Sequence, residues 1–225
     1  MLRSAVGLFL EQGYHKTTTL QIAESMGKAE MILFRAYPDK EAILYALVTH
    51  MFGSQFENTR RLLGGEADPV LVYGVETALQ QHICELSEAL RDLYVTAYTL
   101  PTTSEFIFKN TTKELQRIFA AYLPDATESD FYELEIASGG VTRAYMAKPC
   151  DMYFPIERKL TLYLNCCMKI YDVPAVKRQE VIAKVLAMDL KAIAQRLIGE
   201  VVKRAEEGFG PDTLNAAASG RDDPD

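Results

Sequence analysis

The spacing of apolar residues restricts this chain more than any other feature. Hydrophobic side chains recur every three or four positions along most of the 225 residues, and strand-like alternation is scarce. Leu71, Val75, Leu79, His82, Leu86 and Leu90 form one such face. This spacing buries one stripe of a helix and leaves the opposite side to water. An all-α fold is therefore expected. Gly and Pro punctuate the pattern. Between the breaks, helices are predicted over residues 2–12, 18–26, 29–37 and 40–63. Others are predicted from residue 69 towards Leu90, then over 91–100, 104–123, 128–147 and 155–171. A last helix opens at Pro174 and runs past Val201. From Gly208 the chain is Gly, Ala, Ser, Pro and Asp, a composition that reads as a disordered tail over 208–225.

Composition narrows the function. The net charge is −7, so any nucleic-acid contact must be local rather than a broad basic surface. The four cysteines, Cys84, Cys150, Cys166 and Cys167, make no C-x-x-C pair. That pattern predicts a reduced, cytoplasmic protein without a metal site or other cofactor. No apolar run reaches about 18 residues, so no membrane span is expected. No signal peptide is expected either. There is no Gly-rich phosphate loop, no H-E-x-x-H and no serine elbow, which argues against an enzyme. Asp130, Glu133 and Glu135 cluster at a helix start, where carboxylates suit the helix dipole.

Residues 18–37 read TTLQIAESMGKAEMILFRAY. Two short helices crossing at a tight turn need a small residue inside the first, here Ala23. They need a residue tolerant of positive φ at the turn, here Gly27. Leu33 in the second helix can be buried against the first, and Ile22, Met26 and Phe34 complete a small core. Thr18 can cap the first helix. The wider run carries Leu8-Phe9, Glu11, Gly13-Tyr14, Thr18, Ile22-Ala23, Gly27, Phe34, Tyr37, Lys40-Glu41 and Leu44. On these residues the first 50 positions resemble the N-terminal domain of TetR-family transcriptional regulators.

The resemblance implies a helix-turn-helix domain over 1–45 and a helical dimerisation and effector-binding domain over 46–207. The helix from Ala29 would lie in the major groove of a double-stranded DNA operator, where base edges can be read. The helix starts at Thr18 and Lys40 would face phosphates. The DNA-contacting set would be Thr18, Lys28, Ala29, Glu30, Ile32, Phe34, Arg35, Tyr37 and Lys40. Ala29 and Ile32 stand where the family usually carries hydroxyls, and Phe34 where it usually carries Tyr. Lys and Arg number five within residues 1–50, and so do Asp and Glu, so the domain is neutral. The basic arm that usually precedes the first helix is absent, and any upstream extension would be expected to be rich in Lys and Arg.

In the C-terminal half the resemblance implies a homodimer through two helices, best matched by 128–147 and 155–171. It also implies a cavity for a small lipophilic effector, with Tyr73, His82, Tyr94, Tyr98, Phe106 and Tyr145 as candidate wall residues. A ligand against the far end of one long helix over 40–63 would tilt it as a lever. The expected function is a DNA-binding transcriptional regulator, a repressor released by its effector. The alternative is a dimeric module that binds a small molecule or protein with weakened DNA contact.

Overall fold

The computed structural model describes residues 2–27, 37–65 and 67–207. Those residues form eleven helices: α1 (Leu2–Gln12), α2 (Thr19–Ser25), α3 (Lys40–Phe52), α4 (Gln55–Leu62), α5 (Pro69–Leu86), α6 (Glu88–Ala97), α7 (Pro101–Phe119), α8 (Glu128–Ala147), α9 (Ile156–Ile170), α10 (Ala175–Leu186) and α11 (Leu190–Glu207). No strand occurs among them, and one isolated bridge joins Asp151 to Phe154 in the loop before α9. The all-α expectation holds. The helix expected over 29–37 and the tail over 208–225 lie outside the described residues.

Local chemistry sets most helix starts. Thr18 and Gln21 form a reciprocal capping box on α2, and Thr127 and Asp130 form another on α8. Asp39 accepts from the Ala42 N–H at 2.7 Å to start α3. Asp68 accepts from Val70 at 2.8 Å, with Pro69 at the first position of α5. Gly13 ends α1 at φ 90°, a conformation that glycine adopts without steric cost.

Four expected boundaries are corrected. The helix over 40–63 is two helices, broken at Gly53-Ser54. Gly and Ser are weak helix formers, and Ser54 leaves helical geometry at φ −137°, ψ 17°. The break leaves the Phe52 carbonyl free for Asn110 of α7, which donates to it at 3.0 Å. The apolar face running to Leu90 is divided at Ser87, whose hydroxyl accepts from Leu90 N–H at 3.1 Å and starts α6. Pro101 does not precede a gap but opens α7 at its first position. The last helix is two, and Asp189 restarts it by accepting from Ala192 N–H at 3.1 Å.

Helix α5 is the centre of the body. It packs against α4, α6, α7, α8, α9, α10 and α11, and it is buried on almost every side. Its buried set includes polar Glu76, Thr77, Gln80 and Gln81 among Val72, Val75, Ala78 and Ile83. Tyr73 meets Phe119 and Tyr171, whose rings stack at 4.2 Å. Helix α1 buries Ala5, Val6 and Phe9 against α6, α11 and α3. The apolar core runs from these residues into the C-terminal helices without a gap, and α3 crosses the expected boundary at 45/46.

Candidate functional site

The N-terminal helices present one face of interest. Thr18 is exposed at the start of α2, its oxygen accepting from Gln21 N–H at 3.2 Å. Lys40 starts α3, but its ammonium points back into the protein. It donates to the carbonyls of Tyr14 and Thr17, both at 2.9 Å, and sits 4.1 Å from the centre of the Tyr14 ring. Partial burial lowers its pKa, and Asp92 acts against that. Two of its three N–H groups hold the α1–α2 turn, which leaves one for an outside acceptor. Tyr37 is buried, and burial raises its phenol pKa. Lys28, Ala29, Glu30, Ile32, Phe34 and Arg35 lie outside the described residues.

Lys40→Ala is therefore expected to act twice. Losing charged hydrogen bonds to two carbonyls should destabilise the N-terminal helices by about 1–3 kcal/mol. If Lys40 also meets a phosphate, as the resemblance implies, losing the cation would weaken binding to all DNA sequences alike, because phosphate contacts carry little sequence information. Chemical denaturation and salt-series binding on matched and mismatched duplexes would measure both. Relaxed sequence preference at unchanged overall affinity would contradict this role.

The same turn is clamped to the body of the protein. Asp92 of α6 accepts from the His15 backbone N–H at 2.9 Å and meets His15 Nδ1 at 2.6 Å. Lys16 pairs with Glu88 of α6 at 3.1 Å. Gly13 makes the approach possible, since a Cβ there would lie 2.8 Å from Asp92 Oδ2. Sequence reasoning missed this clamp. His15 and Asp92 are 77 residues apart and match no motif.

A cavity of about 680 Å³ lies where α3 breaks into α4, closed by α5, α6 and α11. Its deeper wall is Phe52, Thr59, Glu76, Leu79, Gln80, Ile83 and Tyr94, all buried. Met51, Ile193, Leu197, Ile198 and Val201 are partly buried, and Ser54, Asn58, Arg61, Arg196 and Glu200 form an exposed rim. Of the six expected wall residues, Tyr94 lines this cavity. Tyr98 stands behind the wall and donates to Gln80 at 3.0 Å. Tyr73 belongs to the aromatic stack, Phe106 meets Tyr45 edge-on at 5.6 Å, and Tyr145 packs near Tyr163 at 5.5 Å. His82 is half-buried on α5 away from this cavity, and burial lowers its pKa. The α11 wall went unread because its residues look like ordinary core spacing.

Two buried carboxyls mark the interior. Glu76 accepts from Gln80 at 2.6 Å through one oxygen, and its other oxygen has no hydrogen-bond partner. Burial pushes its pKa up to about 8; Gln80 pulls it down and Glu135 pushes it further up. Glu135 accepts from Thr111, Ser138 and Tyr171 at 3.0, 2.6 and 3.1 Å, and burial still raises it to about 7. Glu135 thus leaves the acidic cluster at the α8 start, where Asp130 caps the helix and Glu133 is exposed. The thiols are held protonated: burial pushes Cys84 and Cys167 up to about 12 and Cys150 up to about 11. Among the described residues no group of His, Cys, Asp and Glu could hold a metal ion, and no helix is long and apolar enough to cross a membrane.

Short helices at the N-terminus are thus clamped onto a larger helical body that holds a cavity. Residues 1–47 match the family model described as bacterial regulatory proteins, tetR family. That match makes the N-terminal 47 residues similar to the DNA-binding domain of that family. It is also similar to the HTH-type transcriptional regulator HbdR of Aromatoleum sp. (strain CIB), with 30% identity over 100 residues. That match covers 44% of this chain and 42% of the relative, so the chain spans less than half the length of the curated relative it matches.

Proposed function

We propose that the protein is a dimeric transcriptional regulator in the cytoplasm, a repressor that a small lipophilic effector releases from its DNA operator. The tetR-family domain at residues 1–47, clamped to a body with a cavity, is the observation that carries this reading. The division into a DNA-binding part near 1–45 and an effector-binding part beyond it follows from the same reading. No catalytic step is required. A largely apolar cavity with a few polar groups suits a lipophilic molecule.

A second copy of the chain would pair along α8 and α9. Ile136 is 45% exposed on α8 and Leu162 is 42% exposed on α9. Ala137, Gly140 and Ala144 lie exposed on α8 with Ile136. Gly139 is accounted for within the subunit by the Phe108 ring, whereas a Cβ at Gly140 would meet nothing within 4 Å. Small residues on an open helix face allow a partner helix close approach. Two-fold symmetry would then set two DNA-reading helices about 34–36 Å apart.

The test combines a mass measurement at micromolar concentration with a gel-shift screen of genomic fragments. A dimer that retards a discrete set of fragments is expected. A monomer would remove the two-groove geometry. A dimer that retards no fragment at low salt, yet binds molecules in its cavity, would be a binding module instead of a regulator.

A further inference from the structure

The buried end of the cavity holds one ionisable group whose hydrogen bonding is incomplete. Glu76 is 4% exposed and one of its carboxyl oxygens has no partner, an arrangement that costs free energy in either protonation state. We propose that this end of the cavity binds the protonated amine of an otherwise lipophilic ligand, with Glu76 as its counter-ion. The inference rests on the cavity being the effector site and adds the chemical class of the effector.

The distribution of charge supports a cation over an anion or a neutral group. The basic residues of the cavity, Arg61 and Arg196, are on the exposed rim with Glu200, where water screens them, and Arg61 already pairs with Glu57 at 3.2 Å. His50 also lines the cavity and is half-buried. Around Glu76 itself stand Gln80 on the same helix, the carboxyl of Glu135 on α8, the phenols of Tyr94 on α6 and of Tyr98 just after it, and the phenol of Tyr163 on α9. None of these brings a positive charge. An ammonium would therefore meet no competing positive charge in a site of low dielectric, where an ion pair is strong. Met51, Ile193, Leu197 and Val201 line the way in and suit an apolar skeleton.

Burial keeps Glu76 mostly a neutral acid at neutral pH while the cavity is empty. An arriving ammonium keeps its own proton. The Glu76 carboxyl releases its proton to solvent, and a carboxylate–ammonium pair forms. Binding should thus release close to one proton.

Three probes with one skeleton test this: phenylbutylamine, phenylbutyrate and phenylbutanol. Calorimetry at neutral pH in phosphate and in Tris, buffers with unlike ionisation enthalpies, reads both affinity and proton release. The amine is expected to bind at least about tenfold more tightly than the other two, as a charged hydrogen bond implies. It should release about one proton, and Glu76→Gln should lose both the preference and the release. Equal binding of the alcohol or the acid to the wild-type protein would overturn the proposal, whether or not the variant folds. Proton release that persists in Glu76→Gln would also overturn it. Leu197→Trp, which fills the cavity, separates the two levels. Phenylbutyrate binding that Leu197→Trp abolishes, with no amine binding, would end the amine class and leave the effector cavity standing. If none of the three bound, both readings would fall.

Discussion

Melting temperature is expected to fall as pH rises from about 5 to about 8.5, the reverse of a protein held mainly by surface carboxylate pairs. Burial raises Glu76 from its ordinary 4.5 to about 8 and Glu135 to about 7. Between the ordinary and the raised values the folded state holds protons that the unfolded chain has lost. Stability therefore falls with pH across that window. The contribution is complete below about 4.5 and is lost as pH passes through about 7 for Glu135 and about 8 for Glu76. Each unit of difference is worth about 1.4 kcal/mol, so the two groups together amount to several kcal/mol. Asp68 and Glu85 act in another window: their lysine partners Lys177 and Lys159 hold their pKa values down, and their stabilisation is lost only in acid. His82 opposes the trend below about 6.5, because burial disfavours its charged form. The check is a melting series on the wild type and on the double variant Glu76→Gln, Glu135→Gln. The variant should show a nearly flat profile above pH 6. A wild-type profile that is flat or rising over that range would show that the two acids are not held neutral by burial.

Asp92→Ala is expected to loosen the N-terminal helices while sparing the core. Asp92 closes a two-point contact with His15, and α6 carries it two residues from Tyr94 in the cavity wall. One short helix therefore touches both the cavity and the turn that Lys40 braces. Losing a charge-assisted contact of this kind costs about 1.5–3 kcal/mol. Amide exchange in α1 and α2 should accelerate by roughly one to two orders of magnitude, with α8 and α9 unchanged. Lys16→Ala is the contrast: its pair with Glu88 is exposed on both sides and contributes little. Uniform loss of protection across the molecule would mean that Asp92 supports the whole fold rather than joining two parts of it. Helix α6 thus joins the cavity wall to the α1–α2 turn beside α3, which runs from Lys40 at that turn to Phe52 in the cavity wall.

The all-helical class, the α1–α2 turn at Gly13, the cap at Thr18 and the tetR-family likeness of the first 47 residues were all legible in the sequence. Each depends on residues close together in the chain. Periodicity reports a buried face, capping residues report a start, and glycine reports a left-handed turn. The same signals could not show that 40–63 is two helices. Met51, Phe52, Phe56 and Thr59 keep helical spacing across the break because both helices face one core. The Asn110 side chain that satisfies the freed carbonyl comes from 58 residues away. Tertiary structure alone decided the environment of the functional side chains. Lys40 reads as a helix-start lysine turned towards a phosphate until the Tyr14 and Thr17 carbonyls are brought to it. Glu76 is one polar residue of α5 in the sequence, and only the packing of other helices around α5 removes its water. Local propensity acts through the backbone of neighbouring residues, whereas burial, ion pairing and cavity shape depend on which distant segments meet. Those meetings made Glu76 an acid that stays neutral and Asp92 a clamp.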